Sequence, residues 1–450
     1  MTYRDVLLRG ARRVAWLSLL CLPAAAAALG PAVVTDTLPN GAALLVSEQR
    51  NLPMVLVRVL LDAGARRDPA NKAGLANLTA ELVTEGTAVR TAQQTKDAID
   101  FIGGGLGADA QSDYTIISLQ VLRKDLDVGL ELLADVLLRP AFKPDELARR
   151  REAVTASIRA DEDDPTSVAQ KAFQHTLFGD TPYGHPVEGT AASVPRLTRA
   201  DVHGFFKRHY GPTNAAIVVV GDLSPAEARE HLERVLGGWQ GAAAASFAYP
   251  PWEPPAAKTV RLDRPVTQAG IVIGSLGIAR DNPDYETISV MNYILGGGGF
   301  SSRLMDNIRT QAGLAYSVSS FFAASKSPGP FEIVMQTKNA SVADAIARAR
   351  EQVEGMRAKP VSDDELQEAK RYLTGSFPLR LDSNGKIADF IAQSWFYGLG
   401  LNYADVYIER VNAVTAADVQ RVARDHLQPD RFIEVIVTDT SAPAAAPAAP

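Results

Sequence analysis

Two stretches of this sequence carry side chains whose types and spacing can do chemistry. In SSRLMDNIRTQAGLAYSVSS, Arg309 and Tyr316 stand seven positions apart. Gly313 between them reads as a helix C-cap, which sets Arg309 in the last helical turn and Tyr316 early in the following strand. A guanidinium and a phenol both donate hydrogen bonds, to a peptide carbonyl or to an oxyanion that develops from one. The same residue types also serve as a solvated cation at a helix end and a half-buried strand residue. The second stretch, AGLANLTAELVTEGT at residues 73–87, has the rhythm of a helix, with Asn77, Thr79 and Glu81 as the polar residues at its centre.

Other candidates are weaker. The six histidines, His175, His185, His203, His209, His231 and His426, include no pair at i and i+4 that one helix face can offer to a metal. The acidic run DEDDP at 161–165 lacks the alternation and distal Glu of a calcium loop and reads as a solvated loop. The run Gly296, Gly297, Gly298, Gly299, Phe300 permits close backbone approach, yet no G-K-[S/T] follows, so it is no phosphate loop. By its residues alone it reads as a flexible connection between two helices.

The elements that position these residues come in two copies. TRADVHGFFKRHYGPTNAAIVVVGD at 198–222 and TAADVQRVARDHLQPDRFIEVIVTD at 415–439 share nine of 25 aligned positions. Each reads as a helix opened by a Thr-x-x-Asp cap, closed before Pro, then a β-branched strand. His209 and His426 are equivalent in the repeat, which favours structural roles. In the first half, GAALLVSEQ, MVLVRVLLDAG and SDYTIISLQVL read as strands, with helices from about Ala73, Thr95, Asp125, Pro144 and Thr166. Strands close in sequence followed by runs of helices predict an α+β class: two duplicated domains, each a largely antiparallel sheet packed with helices. The domains are expected at 35–240 and 258–440, joined by a Gly/Ala/Pro-rich linker at 241–257. The tail 441–450 is expected to be disordered.

These motifs together resemble the pitrilysin/insulinase metallopeptidases and the related mitochondrial processing peptidase subunits. The resemblance spans TLPNGAALLVSE, the GLA…EGT helix, FKPDELARRREAV, YGHPVEGT, the duplicated unit and the GGGGF…AYSVSS segment. Active members carry H-x-x-E-H on the first helix, where two imidazoles hold zinc and the Glu activates water. Anchored on Gly86 and Thr87, that motif falls here on Asn77, Ala80 and Glu81. The family's helper and ligand glutamates fall on Arg150 and Ser157. Every catalytic position is substituted, so this chain is expected to bind no zinc. The resemblance also implies that Arg309 and Tyr316 hold substrate opposite a zinc site, and that the glycine run contacts substrate.

Composition sets the rest. The chain has 450 residues, 46% hydrophobic and 22% charged, with a net charge of −6 and no basic blocks, which argues against nucleic-acid binding. Residues 1–30 read as a signal peptide cleaved between about Ala26 and Gly30, which predicts export, as to a periplasm. The only cysteine, Cys21, lies within it, so the mature chain is expected to have no disulfide and no membrane span. The expected role is the non-catalytic, substrate-binding subunit of a heterodimeric zinc metalloendopeptidase, its homologous partner supplying H-x-x-E-H and the zinc. The alternative is an inactive pseudopeptidase acting as a homodimeric scaffold or peptide-binding module.

Overall fold

The computed structural model describes residues 29–241 and 247–441. The expected signal peptide, apart from Leu29 and Gly30, and the tail beyond Ser441 lie outside the described residues. Eleven strands form two sheets. The first holds β1 (Val34–Thr37), β2 (Ala43–Glu48), β3 (Met54–Leu61), β4 (Gly105–Ala110), β5 (Thr115–Leu122) and β6 (Ala215–Gly221). The second holds β7 (Lys258–Asp263), β8 (Gln268–Leu276), β9 (Ala315–Phe322), β10 (Pro330–Lys338) and β11 (Ile433–Thr438).

The spatial orders are β1-β2-β6-β3-β5-β4 and β7-β11-β8-β10-β9. Apart from the added edge strand β1, the two sheets have the same topology. In each, the last strand of the half inserts between the first two, parallel to the first and antiparallel to the second. All other pairs are antiparallel. The fold is the expected α+β arrangement of two largely antiparallel, helix-packed sheets.

The duplicated unit folds as its capping chemistry dictates. Thr198 and Thr415 accept from the backbone of Asp201 and Asp418, whose carboxylates bond back to the Thr amides, so both helices open with a capping box. The helices run Arg199–His209 and Ala416–His426; a short turn at Pro212 or Pro429 then leads into β6 or β11. β6 is continuously apolar rather than alternating because both its faces are buried, and β11 departs from this only at Glu434, which pairs with Arg350 at 2.8 Å, and at its last residue, Thr438. In β6, Ile217 and Val219 face one core while Ala216, Val218 and Val220 face another.

That second core is built across the halves. The helix Asn384–Tyr397 of the second half lays Ile387, Ala388, Ile391 and Ala392 on β3 and β6, in a cluster that also takes in Leu45 of β2. Reciprocally, the helix Pro165–Phe178 of the first half packs Val168, Ala169 and Phe173 against Val272, Val435 and Val437 of the second sheet. Each half therefore covers the other's sheet with one helix. The segment expected as a linker is also held: Trp252 stacks on Phe178 at 5.4 Å and Tyr249 on Tyr183 at 5.7 Å.

Asp113, 2% exposed in the turn between β4 and β5, is the polar node of this union. Its carboxylate accepts from the Tyr183 hydroxyl, from the Tyr397 hydroxyl at 3.1 Å and from the Lys326 amide at 2.7 Å. The Arg66 guanidinium lies 3.4 Å away. Burial, and then the Asp113 charge, push both phenols well above the usual tyrosine range.

His209 fits the structural role. It is buried, with its ring 4.6 Å from that of Phe205. Burial, then the Arg67 and Arg208 cations, lower its pKa to about 4. A histidine held neutral contributes stability that is fully present above its unfolded pKa near 6.5 and is lost as pH falls toward 4. Denaturant titrations at pH 7 and 4.5 are expected to show a loss of about 2 kcal/mol that His209→Leu lacks. Equal losses in the two proteins would assign the acid sensitivity elsewhere.

Candidate functional site

The first helix, Leu75–Val83, is started by a buried side chain: Asp68 accepts from the amides of Gly74, Leu75 and Ala76 at 2.8, 3.2 and 2.7 Å. Gly74 has a left-handed φ of 90°, and a Cβ there would meet the Glu188 carbonyl at 2.6 Å. The YGHPVEGT loop thus needs that glycine in order to seat against the helix start. The loop's His185 is half-buried, with Nδ1 3.0 Å from the Pro186 carbonyl, consistent with a shaped loop.

Asn77, Glu81 and Arg150, remote in the sequence, come together. The Asn77 amide donates to Glu81 at 3.1 Å, and the Arg150 guanidinium lies 3.6 Å from the same carboxylate. Arg150, on the helix Pro144–Ala160, also donates to Glu85; Arg149 donates to Glu85 at 2.6 Å and to Glu146 at 2.7 Å. Burial raises the Glu81 pKa, and the Arg150 charge opposes this. Ala80 is fully buried in the first core, and Ser157 is exposed and takes no part.

These residues do not fit zinc. An amide is a poor ligand, and the nearby carboxylates are engaged by guanidinium groups. Among the described residues, no group of three or more His, Cys, Asp or Glu can hold a metal. Glu85 and Arg149 went unnoticed in the sequence, although Glu85 lies one turn beyond Glu81 and the Arg149-Arg150 pair supplies its counter-charge. The DEDDP run caps rather than chelates: Asp164 accepts from the amides of Thr166 and Ser167, and Asp161 pairs with Lys171.

The second cluster is differently built. The helical turn Met305–Gln311, wound with i to i+5 bonds, ends at Gly313 with φ 63°. The Gly313 amide bonds to the Arg309 carbonyl at 3.0 Å, and Tyr316 is the second residue of β9. Arg309 is held between two exposed rings, 4.7 Å from the centroid of Phe300 and 4.9 Å from that of Tyr316. Those rings are 71% and 76% exposed. No carboxylate pairs with Arg309 among the described residues, which leaves its donors open toward a ligand.

The glycine run positions Phe300. A Cβ on Gly296 would meet Ser320 Oγ at 2.5 Å and Leu304 Cδ1 at 2.7 Å; Gly299 has a left-handed φ of 58°. The run is a tightly wound turn, from Tyr293–Gly297 into Gly299–Ser301, rather than a loose connection. No hydrogen bond or ion pair joins this cluster to the one around Glu81 among the described residues.

Two family models match in tandem: that of the insulinase peptidases, family M16, over residues 44–191, and that of the peptidase M16 inactive domain over residues 196–373. An uncharacterized zinc protease of Streptomyces coelicolor is 29% identical over 410 residues, covering 89% of this chain and 88% of that protein. One from Mycobacterium tuberculosis is 30% identical over 416 residues, covering 90% and 93%. Among solved structures, a peptidase M16 inactive domain from Pseudomonas fluorescens superposes with a TM-score of 0.86 at 31% identity, covering 91% of this chain and 99% of that one. A protease from Helicobacter pylori shares the fold, with a TM-score of 0.84 at 20% identity over 91% and 100% of the two chains. With no H-x-x-E-H on its first helix and with the family's architecture over nearly its whole described length, this chain belongs to the insulinase family of metallopeptidases, peptidase family M16.

Proposed function

We propose that this chain is the non-catalytic, substrate-binding subunit of an exported heterodimeric zinc metalloendopeptidase acting on peptides or unfolded segments. The observation that carries this reading is the contrast between the two clusters. Guanidinium groups occupy the surroundings of the zinc-equivalent positions, whereas Arg309 stands unpaired between two exposed aromatic rings. A homologous partner carrying H-x-x-E-H would hold the zinc, which would polarise the water needed for hydrolysis. This chain's Arg309 guanidinium and Tyr316 hydroxyl donate to the scissile carbonyl, whose oxygen gains charge as the bond is attacked.

The purified chain is expected to carry well under one zinc per molecule and to hydrolyse no peptide. Mixing it with the partner is expected to produce cleavage that neither chain gives alone. Efficient zinc-dependent turnover by this chain by itself contradicts the proposal. A stable homodimer that never yields cleavage with the partner supports the scaffold role instead, which the charge-filled first cluster also allows.

A further inference from the structure

Behind the glycine turn lies a cavity of about 290 Å³, with Gly297 in its wall. Its lining is aromatic, with Tyr285, Tyr293, Phe321, Phe322 and Tyr372, and one cation, Arg380. Tyr293 and Tyr372 face each other at 4.8 Å, and Tyr372 is more than half exposed. The cavity therefore opens on the same turn that carries Phe300 beside Arg309.

The charge around it is unbalanced. Arg380 forms no ion pair among the described residues and lies 5.6 Å from the Phe377 ring centroid and 5.7 Å from that of Tyr407. Arg280 covers the outer face of the Tyr285 ring at 3.7 Å and reaches only the Tyr403 hydroxyl, at 3.2 Å. Glu286 is buried and 3.5 Å from Arg410; burial, then the Glu368 charge, raise the pKa of the Tyr293 phenol in the wall. Arg380 in the wall, without an ion pair among the described residues and beside aromatic rings, favours a ligand that is apolar with an anionic end.

We infer that this cavity binds the C-terminal residue of a peptide, its large apolar side chain against the aromatic wall and its carboxylate on Arg380. The volume accommodates one such side chain, and an internal residue would offer no anion there. This inference rests on the peptide-binding reading above and adds an anchoring point that is distinct from Arg309 and Tyr316. It makes peptides with free, bulky C-termini the favoured class.

The test is fluorescence anisotropy of the isolated chain with labelled Ala-Ala-Ala-Phe as the free acid, as its C-terminal amide, and with Ala in the last position. The free acid of the Phe peptide is expected to bind at least about tenfold more tightly than either control, since a charge-assisted bond is lost in one and the side chain in the other. Arg380→Gln, at an exposed position, is expected to abolish the difference between acid and amide while keeping that between Phe and Ala; Tyr372→Ala does the reverse. Equal binding of acid and amide, or an acid preference that survives Arg380→Gln, overturns the assignment. Because no partner or zinc is present, that failure leaves the proposed role of Arg309 in the two-chain enzyme untouched.

Discussion

In a complex reconstituted with an H-x-x-E-H partner, Arg309→Ala is expected to lower peptide turnover by about ten- to a thousandfold, the range for loss of one donor to a developing oxyanion. The chain itself should fold as before. Arg309 makes no ion pair, and its contacts with the Phe300 and Tyr316 rings, at an exposed position, are each worth roughly 0.5–1 kcal/mol. Tyr316→Phe separates the two contributions of the tyrosine, since it keeps the ring against the guanidinium and removes only the hydroxyl. Arg309→Lys keeps charge but loses the planar fork, and should recover little of the rate. Initial rates for the four complexes at saturating peptide decide the matter: turnover equal to wild type in Arg309→Ala and Tyr316→Phe would reduce both residues to surface groups.

Asp113→Ala is expected to produce the largest loss of stability, about 3–5 kcal/mol, because it strands partners in a buried site rather than removing a surface contact. The substitution leaves two phenols and the Lys326 amide without their acceptor and takes one carboxylate from Arg66, which keeps Asp62 at 2.6 Å. Asp113→Asn retains one oxygen acceptor and should cost less. By contrast, an exposed helical pair such as Arg357 with Glu354 is worth under about 1 kcal/mol. Urea midpoints for the wild type and the two variants test the ordering. An Asp113→Ala protein with the wild-type midpoint would show that apolar burial alone joins the halves.

The parts of the fold legible in the sequence are those set by neighbouring residues. The Thr-x-x-Asp caps, the glycine that ends the helix before Tyr316, and the apolar runs of β6 and β11 depend on bonds and periodicities within a few positions. β4 was not legible: GLGADA is poor in β-branched residues and pairs because β5 offers it a partner. The held conformation of Tyr249 and Trp252 was hidden for the same reason, since Pro and Ala around them signal a linker while their rings find Tyr183 and Phe178.

By itself, then, the sequence determined that the first helix carries no H-x-x-E-H ligand set. Ligand identity is a property of single residues, and Asn77, Ala80, Arg150 and Ser157 cannot supply one wherever they lie. It also determined the duplication, because repeated local signals survive as repeated letters. Only the tertiary structure decided what surrounds Glu81, how Phe300 flanks Arg309, and that each half lends a helix to the other's sheet. Those are contacts between residues far apart in the chain, and their geometry is set by the packing of whole elements, which no local pattern encodes.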